Sequence, residues 1–187
     1  MKKIIFTNFF IVLLFLMGAI TYSQTKGNKL IMLLFDESQS SLKDKQRYIT
    51  EAVDSLSSTL TDNRLMLRKF SKITIGDDSP ERYSNEEIKK VINNISNISR
   101  FSVLYDSLYL AEKDTRRISD RMELEPLIVL FSTGVDNWST TEYKKLKSSV
   151  EQYNVPIVLF LLDDIQESPT KEWLLNIITS NNGTVTP

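Results

Sequence analysis

Leu30-Ile31-Met32-Leu33-Leu34-Phe35-Asp36-Glu37-Ser38-Gln39-Ser40 is the stretch that decides how the chain folds. Its six consecutive apolar residues, Leu30 to Phe35, are bounded by polar residues on both sides. That length suits a strand buried on both faces, as in the middle of a parallel sheet. The run then stops, and Asp36, Ser38 and Ser40 follow at alternate positions. A chain leaving the strand in extended form aims three such side chains to one side. The crevice outside the carboxyl end of a central strand is where open α/β sheets bind ligands. One carboxylate and two hydroxyls are hard oxygen donors of the kind that hold Mg²⁺. The alternative reading of the same residues is as caps for the helix that follows, because Asp and Ser are preferred at that position.

Working outward, the next apolar pattern is Ile49, Ala52, Val53, Leu56 and Leu60, which predicts a helix within Leu42–Leu60. Arg64 to Phe70 with Ile73 and Ile75 predicts one or two strands, and Gly76-Asp77-Asp78-Ser79-Pro80 a turn. Ser84 and Glu87 have capping-box spacing ahead of a stripe of Ile88, Val91, Ile92 and Ile95. A loop from Asn93 to Arg100 leads to a buried helix face of Leu104, Leu108 and Ala111, for which Ser102 is a candidate N-cap. Leu127 to Phe131 reads as a second buried strand and Val155 to Leu162 as a third, the latter ending in Asp163-Asp164. Between them, Ser139 and Glu142 have capping-box spacing for a helix that buries Tyr143, Leu146, Val150 and Tyr153. Ser168-Pro169 opens a last helix with Trp173, Leu174, Ile177 and Ile178 inward, and Thr184-Val185-Thr186 follows as a short edge strand. Strands alternating with helices predict an α/β fold: a doubly wound, mostly parallel central sheet with helices on both faces.

Composition narrows the chemistry. The 187 residues suffice for one α/β domain and are few for two. The chain has neither Cys nor His. That excludes Ser-His-Asp and Cys-His nucleophile relays, thiolate zinc sites and His-ligated haem, so a metal would be oxygen-bound. With 23 basic and 24 acidic residues interspersed, nothing points to nucleic acid as a partner. Residues 1–23 read as a secretory signal peptide, with Lys2 and Lys3 ahead of an apolar stretch from Ile4 to Ile20 and cleavage after Ser23. Left uncleaved, the stretch would be the only attachment to a membrane. Loss of Lys2 and Lys3 leaves 21 basic against 24 acidic residues, a charge of −3. Residues 24–29 then form a linker and 30–187 the domain, exported to a periplasmic, cell-surface or secreted location. The Asn-x-Ser/Thr sequences at Asn94, Asn97, Asn137 and Asn182 are read as chance occurrences in a chain rich in Ser and Asn.

Asp36-x-Ser38-x-Ser40 after a buried strand resembles the first signature of the von Willebrand factor type A domain, where it begins the metal-ion-dependent adhesion site. Two further segments carry the resemblance. Ser102-Val-Leu104-Tyr105-Asp106-Ser-Leu108 is similar to the family's Thr-x-Leu-Tyr-Asp-Ala-Leu, with Ser102 in the place of the Thr. Ser132-Thr133-Gly134-Val135-Asp136-Asn137 is similar to Thr-Asp-Gly-x-Asp-Asn, with Thr133 where the family has its second carboxylate. The resemblance implies a protein-binding module in which Ser38, Ser40 and Ser102 ligate Mg²⁺ or Mn²⁺, Asp36 orients them or acts through water, and a partner's Asp or Glu completes the shell. Thr133 would hold a water toward the cation, and Asp136 is the candidate substitute carboxylate. One anion fewer implies a weakened site, because affinity for hard cations follows ligand charge count.

Two other functions are compatible with the sequence. One is a metal-independent structural component of an envelope or secretion assembly. The other is a haloacid-dehalogenase-like Mg²⁺ phosphatase, with Asp36, Ser132 or Thr133, and Asp163-Asp164 at three strand ends. That chemistry wants an acid two residues after the nucleophile, where this chain has Ser38, so the expectation is that the protein is not an enzyme. Trp138, beside the implied site, is expected to be exposed and available to a partner.

Overall fold

The computed structural model describes residues 28–38, 44–76, 79–95, 100–162, 169–181 and 183–186. The segment read as signal peptide and residues 24–27 of the expected linker fall outside them, as do Ser40, Asp163-Asp164 and Ser168, while Lys29, expected in the linker, already belongs to the first strand. Six strands, β1 (Lys29–Asp36), β2 (Arg64–Phe70), β3 (Thr74–Gly76), β4 (Glu125–Ser132), β5 (Ile157–Leu161) and β6 (Thr184–Thr186), form one sheet of order β3-β2-β1-β4-β5-β6. All neighbours run parallel except β3, which returns antiparallel along β2. The described helices are α1 (Lys45–Ser55), α2 (Ser57–Asp62), α3 (Asn85–Asn93), α4 (Leu104–Met122), α5 (Tyr143–Tyr153) and α6 (Pro169–Ser180).

The central position of β1 explains its unbroken apolar run. Leu30, Met32 and Leu34 face a core shared with α4, α5 and α6, whereas Ile31, Leu33 and Phe35 face a second core shared with α1, α2 and α3. All six are fully buried, each contributing roughly 1.5–3 kcal/mol of transfer free energy. On the second face the parallel register stacks Phe35 on Phe131 and Phe131 on Phe160, with ring centroids 5.2 and 4.9 Å apart. This aromatic row fixes β1, β4 and β5 against one another just below their carboxyl ends.

Three expectations about helices need correction. Trp173, expected inward on α6, is 42% exposed and packs its ring against Tyr143 at 5.1 Å, while Leu174, Ile177 and Ile178 are buried as expected. The helix expected up to Leu60 is two helices, α1 and α2, separated at Leu56. The break falls in Ser55-Leu56-Ser57-Ser58-Thr59, where four weak helix formers surround Leu56 and their hydroxyls compete for backbone carbonyls; Ser55 Oγ donates to Ala52 O at 2.6 Å. The expected box of Ser139 and Glu142 also does not form. Glu142 is itself the N-cap of α5 and has no side-chain cap bond, while Ser139 is engaged at the start of α4. The Ser84–Glu87 box is present in both directions, and its hydrogen bonds hold the Glu87 carboxyl below its usual range. The third strand is shorter than its apolar run, Ile157–Leu161 instead of Val155–Leu162. No helix among the described residues is long and apolar enough to cross a membrane.

Candidate binding site at the carboxyl end of the sheet

Asp36 closes β1 and is wholly buried. An isolated carboxylate there would carry a large desolvation cost, and the strand ends around it supply the compensation. Its Oδ1 accepts the Ser38 amide at 2.8 Å, an Asx-type turn that swings the chain off the strand. Its Oδ2 accepts the Ser132 hydroxyl at 2.9 Å and both the amide and hydroxyl of Thr133 at 3.3 Å, all from the neighbouring end of β4. Ser132 Oγ also accepts the Gly134 amide at 3.0 Å, and Gly134 takes φ +75, where a side chain would be strained. These bonds answer the capping alternative for Asp36: its partners lie in the turn and across the sheet. The N-cap of α1 is Asp44, which makes no side-chain cap bond.

Lys45, the first residue of α1, is buried and donates from Nζ to Ser38 O at 2.8 Å. Burial pushes the Lys45 pKa down, against the attraction of Asp36 and Glu37, which pulls it up. Glu37 is paired outward with Lys69 at 2.8 Å. The site therefore contains a protein cation close to its buried anion. Sequence reasoning missed Lys45, because a lysine at a helix start reads as solvated; it named Ser132 only as a strand-end residue of the phosphatase alternative, and a separation of 96 positions hides its bond to Asp36.

Ser102 lies in the connection before α4. Its backbone is pinned to the segment after β4: its amide donates to Asn137 Oδ1 at 2.8 Å, and its carbonyl accepts the Asn137 and Trp138 amides at 3.2 and 3.1 Å. The N-cap of α4 is Val103, with no side-chain cap bond, so Ser102 Oγ does not cap that helix. The buried Ser102 and Ser38 hydroxyls both lack a hydrogen-bond partner among the described residues. Buried hydroxyls without partners cost free energy, so these two, at the sheet end where open α/β folds bind ligands, have oxygens available to a further group.

Asp136 does not substitute for the absent second carboxylate. It accepts Ser139 Oγ at 2.7 Å and lies at the amino end of α4, where burial raises its pKa against those hydrogen bonds. The adjacent Asp106 accepts the amides of Thr140 and Thr141 at 2.9 and 2.7 Å. Burial works to raise the Asp106 pKa, but these bonds outweigh it and keep the pKa below its usual value. Both acids are thus committed to holding the β4–α5 connection onto α4.

The structure joins Asp36, Ser38 and Thr133 directly, and ties Ser102 to the loop following Thr133. Among the described residues there is no group of three or more acidic residues suited to a metal. The donor set fits a hard divalent cation through hydroxyls: Ser38 and Ser102 offer unpartnered oxygens, and Asp36 supplies one anion. The buried Lys45 ammonium opposes such a cation.

No known protein-family profile and no curated protein matches this chain. Solved structures do. An aerotolerance-related membrane protein from Bacteroides fragilis, carrying multiple mutations to serine, superposes with TM-score 0.63 over 84% of this chain and 90% of its own, at 12% identity. BatB from Bacteroides thetaiotaomicron gives 0.61 over 84% and 89%, at 10% identity. A von Willebrand factor type A protein from Catenulispora acidiphila gives 0.66 over 85% of this chain and 38% of that one, at 15% identity. At these identities the likeness is one of fold: the chain has the architecture of a von Willebrand factor type A domain.

Proposed function

We propose, from a fold shared with type A domains and an unsatisfied hydroxyl pair at its binding edge, that this protein is an exported, non-enzymatic protein-interaction module. The partner would contribute an acidic side chain at the carboxyl end of β1 and β4. The observation that carries the reading is the pair Ser38 Oγ and Ser102 Oγ, buried and without partners among the described residues. Mg²⁺ or Mn²⁺ bound there would supply a Lewis-acidic point for a partner carboxylate. Ser38 and Ser102 would hold it, with Ser40 of the same signature. Asp36 would supply the compensating negative charge, and Thr133 would orient a water.

The chain's own contribution is orientation. Asp36 is clamped by four hydrogen bonds from Ser38, Ser132 and Thr133, so the ends of β1 and β4 present a fixed surface. Because Thr133 brings no charge and Lys45 adds a positive one, cation binding here is weak, of millimolar order, and a partner's carboxylate would strengthen it. The test is thermal melting of the full chain in chelator and in Mg²⁺ or Mn²⁺ up to millimolar concentration, with Ser38→Ala alongside. A metal-dependent rise in midpoint that Ser38→Ala removes supports the reading, since a ligand that binds only the folded state stabilises it. A flat response leaves no role for a cation.

A further inference from the structure

Beside Ser102 the surface carries an exposed aromatic pair with no role in the core. Phe101 and Trp138 are 39% and 50% exposed, and their ring centroids lie 4.5 Å apart. Lys72 Nζ stands 6.0 Å from each ring centroid. The rings come from segments far apart in sequence, yet their backbones are fixed. The Trp138 amide donates to Ser102 O, Asn137 Nδ2 donates to Arg100 O at 2.9 Å, and the Val103 amide donates to Ser71 O at 2.8 Å. Ile73, next to Lys72 in the β2–β3 turn, is 61% exposed.

Two basic side chains stand close to the rings in space or in sequence. Among the described residues, Lys72 and Arg100 are exposed and in no ion pair. Glu37 is neutralised by its ion pair with Lys69, and Asp136 and Asp106 are held by the hydroxyls and amides of the β4–α5 connection. Large aromatic side chains held rigidly at a surface lose little entropy when covered, which is the property of an interface anchor.

We propose that Phe101, Trp138 and Lys72 form a docking platform for a partner segment in which acidic residues flank an aromatic or large apolar side chain. This deepens the function proposed above by naming the partner's chemistry, and it rests on that reading's choice of the carboxyl end of the sheet as the partner face. The apolar side chain packs on Phe101 and Trp138, and the acidic neighbours meet Lys72 and Arg100.

The experiment uses the full chain carrying Trp173→Phe, which leaves Trp138 as the only tryptophan. Its emission is titrated in chelator at low salt with three acetylated, amidated pentapeptides: EDFDE, QNFNQ without the charges, and EDGDE without the ring. EDFDE is expected to bind about five-fold or more tighter than either of the others. Lys72→Gln should remove most of its advantage over QNFNQ, and Phe101→Ser should remove its advantage over EDGDE. Equal affinity for the three peptides, or either advantage surviving its substitution, overturns the platform. Binding that tightens with Mg²⁺ only when Ser38 is present reports the cation site instead, so loss of either property can be told from loss of the other.

Discussion

Ser132 Oγ donates to Asp36 Oδ2 at 2.9 Å across the β1–β4 seam, and Asp36 has no contact with solvent. The serine thus shields a buried charge. Ser132→Ala should destabilise the fold by about 1–3 kcal/mol, the cost of weakening a hydrogen bond to a buried charged group, as read by urea denaturation. A change below a few tenths would mean that Thr133 alone suffices.

The Lys45 ammonium occupies the same neighbourhood. Lys45→Met keeps the stem's packing and removes the charge. The variant should show a larger Mg²⁺-dependent rise in melting midpoint than the parent chain, because the ion no longer meets a like charge. An unchanged or smaller rise would show that Lys45 does not oppose the cation.

Glu112 lies on α4, fully buried, and the Val155 amide nearby is too poorly aligned to make a regular hydrogen bond to its carboxyl oxygens. Burial pushes its pKa up to about 8, with the Val155 backbone amide and Arg116 only partly opposing. The unfolded chain loses this proton near the ordinary glutamate value while the folded chain keeps it, so stability falls as pH rises from about 4.5 to about 8 and levels off above. Glu112→Gln should flatten that slope and raise stability at pH 7 by roughly 3 kcal/mol, at about 1.36 kcal/mol per pKa unit. Denaturant midpoints at pH 5, 7 and 9 measure it, and parallel slopes in the two chains would refute it.

Asp106 behaves in the opposite sense. Its pKa is lower in the folded chain, so its contribution is present above the unfolded value and is lost as pH falls through the folded one. Asp106→Asn should therefore lower stability at neutral pH and weaken the acid-induced loss. Amide exchange at Thr140 and Thr141, whose N–H groups it accepts, should speed up. Unchanged exchange there would mean that the carboxylate is not what holds the loop.

Elements whose signal is local were legible in the sequence. The apolar runs of β1 and β4 located the sheet centre, and Ser84 with Glu87 marked the start of α3 because a capping box is complete within four residues. The division at Leu56 was not legible, since the apolar spacing of Ile49, Val53, Leu56 and Leu60 continues across it while the hydroxyl competition does not alter that spacing. The box expected at Ser139 failed for a related reason: its hydroxyl is taken by Asp136, a tertiary choice that outweighs a local preference. At the site, residue types marked Asp36, Ser38, Ser102 and Thr133. The direction of Asp136 and the burial of Lys45 depend on contacts that only the folded chain brings together.

Both margins of the sheet are strands of three residues, β3 and β6. Long open margins are the templates on which sheets polymerise, and short ones offer too few backbone groups to recruit another chain. Margins this short disfavour edge-to-edge pairing between copies, so contacts of this fold with other molecules are better served by its strand ends than by its strand edges.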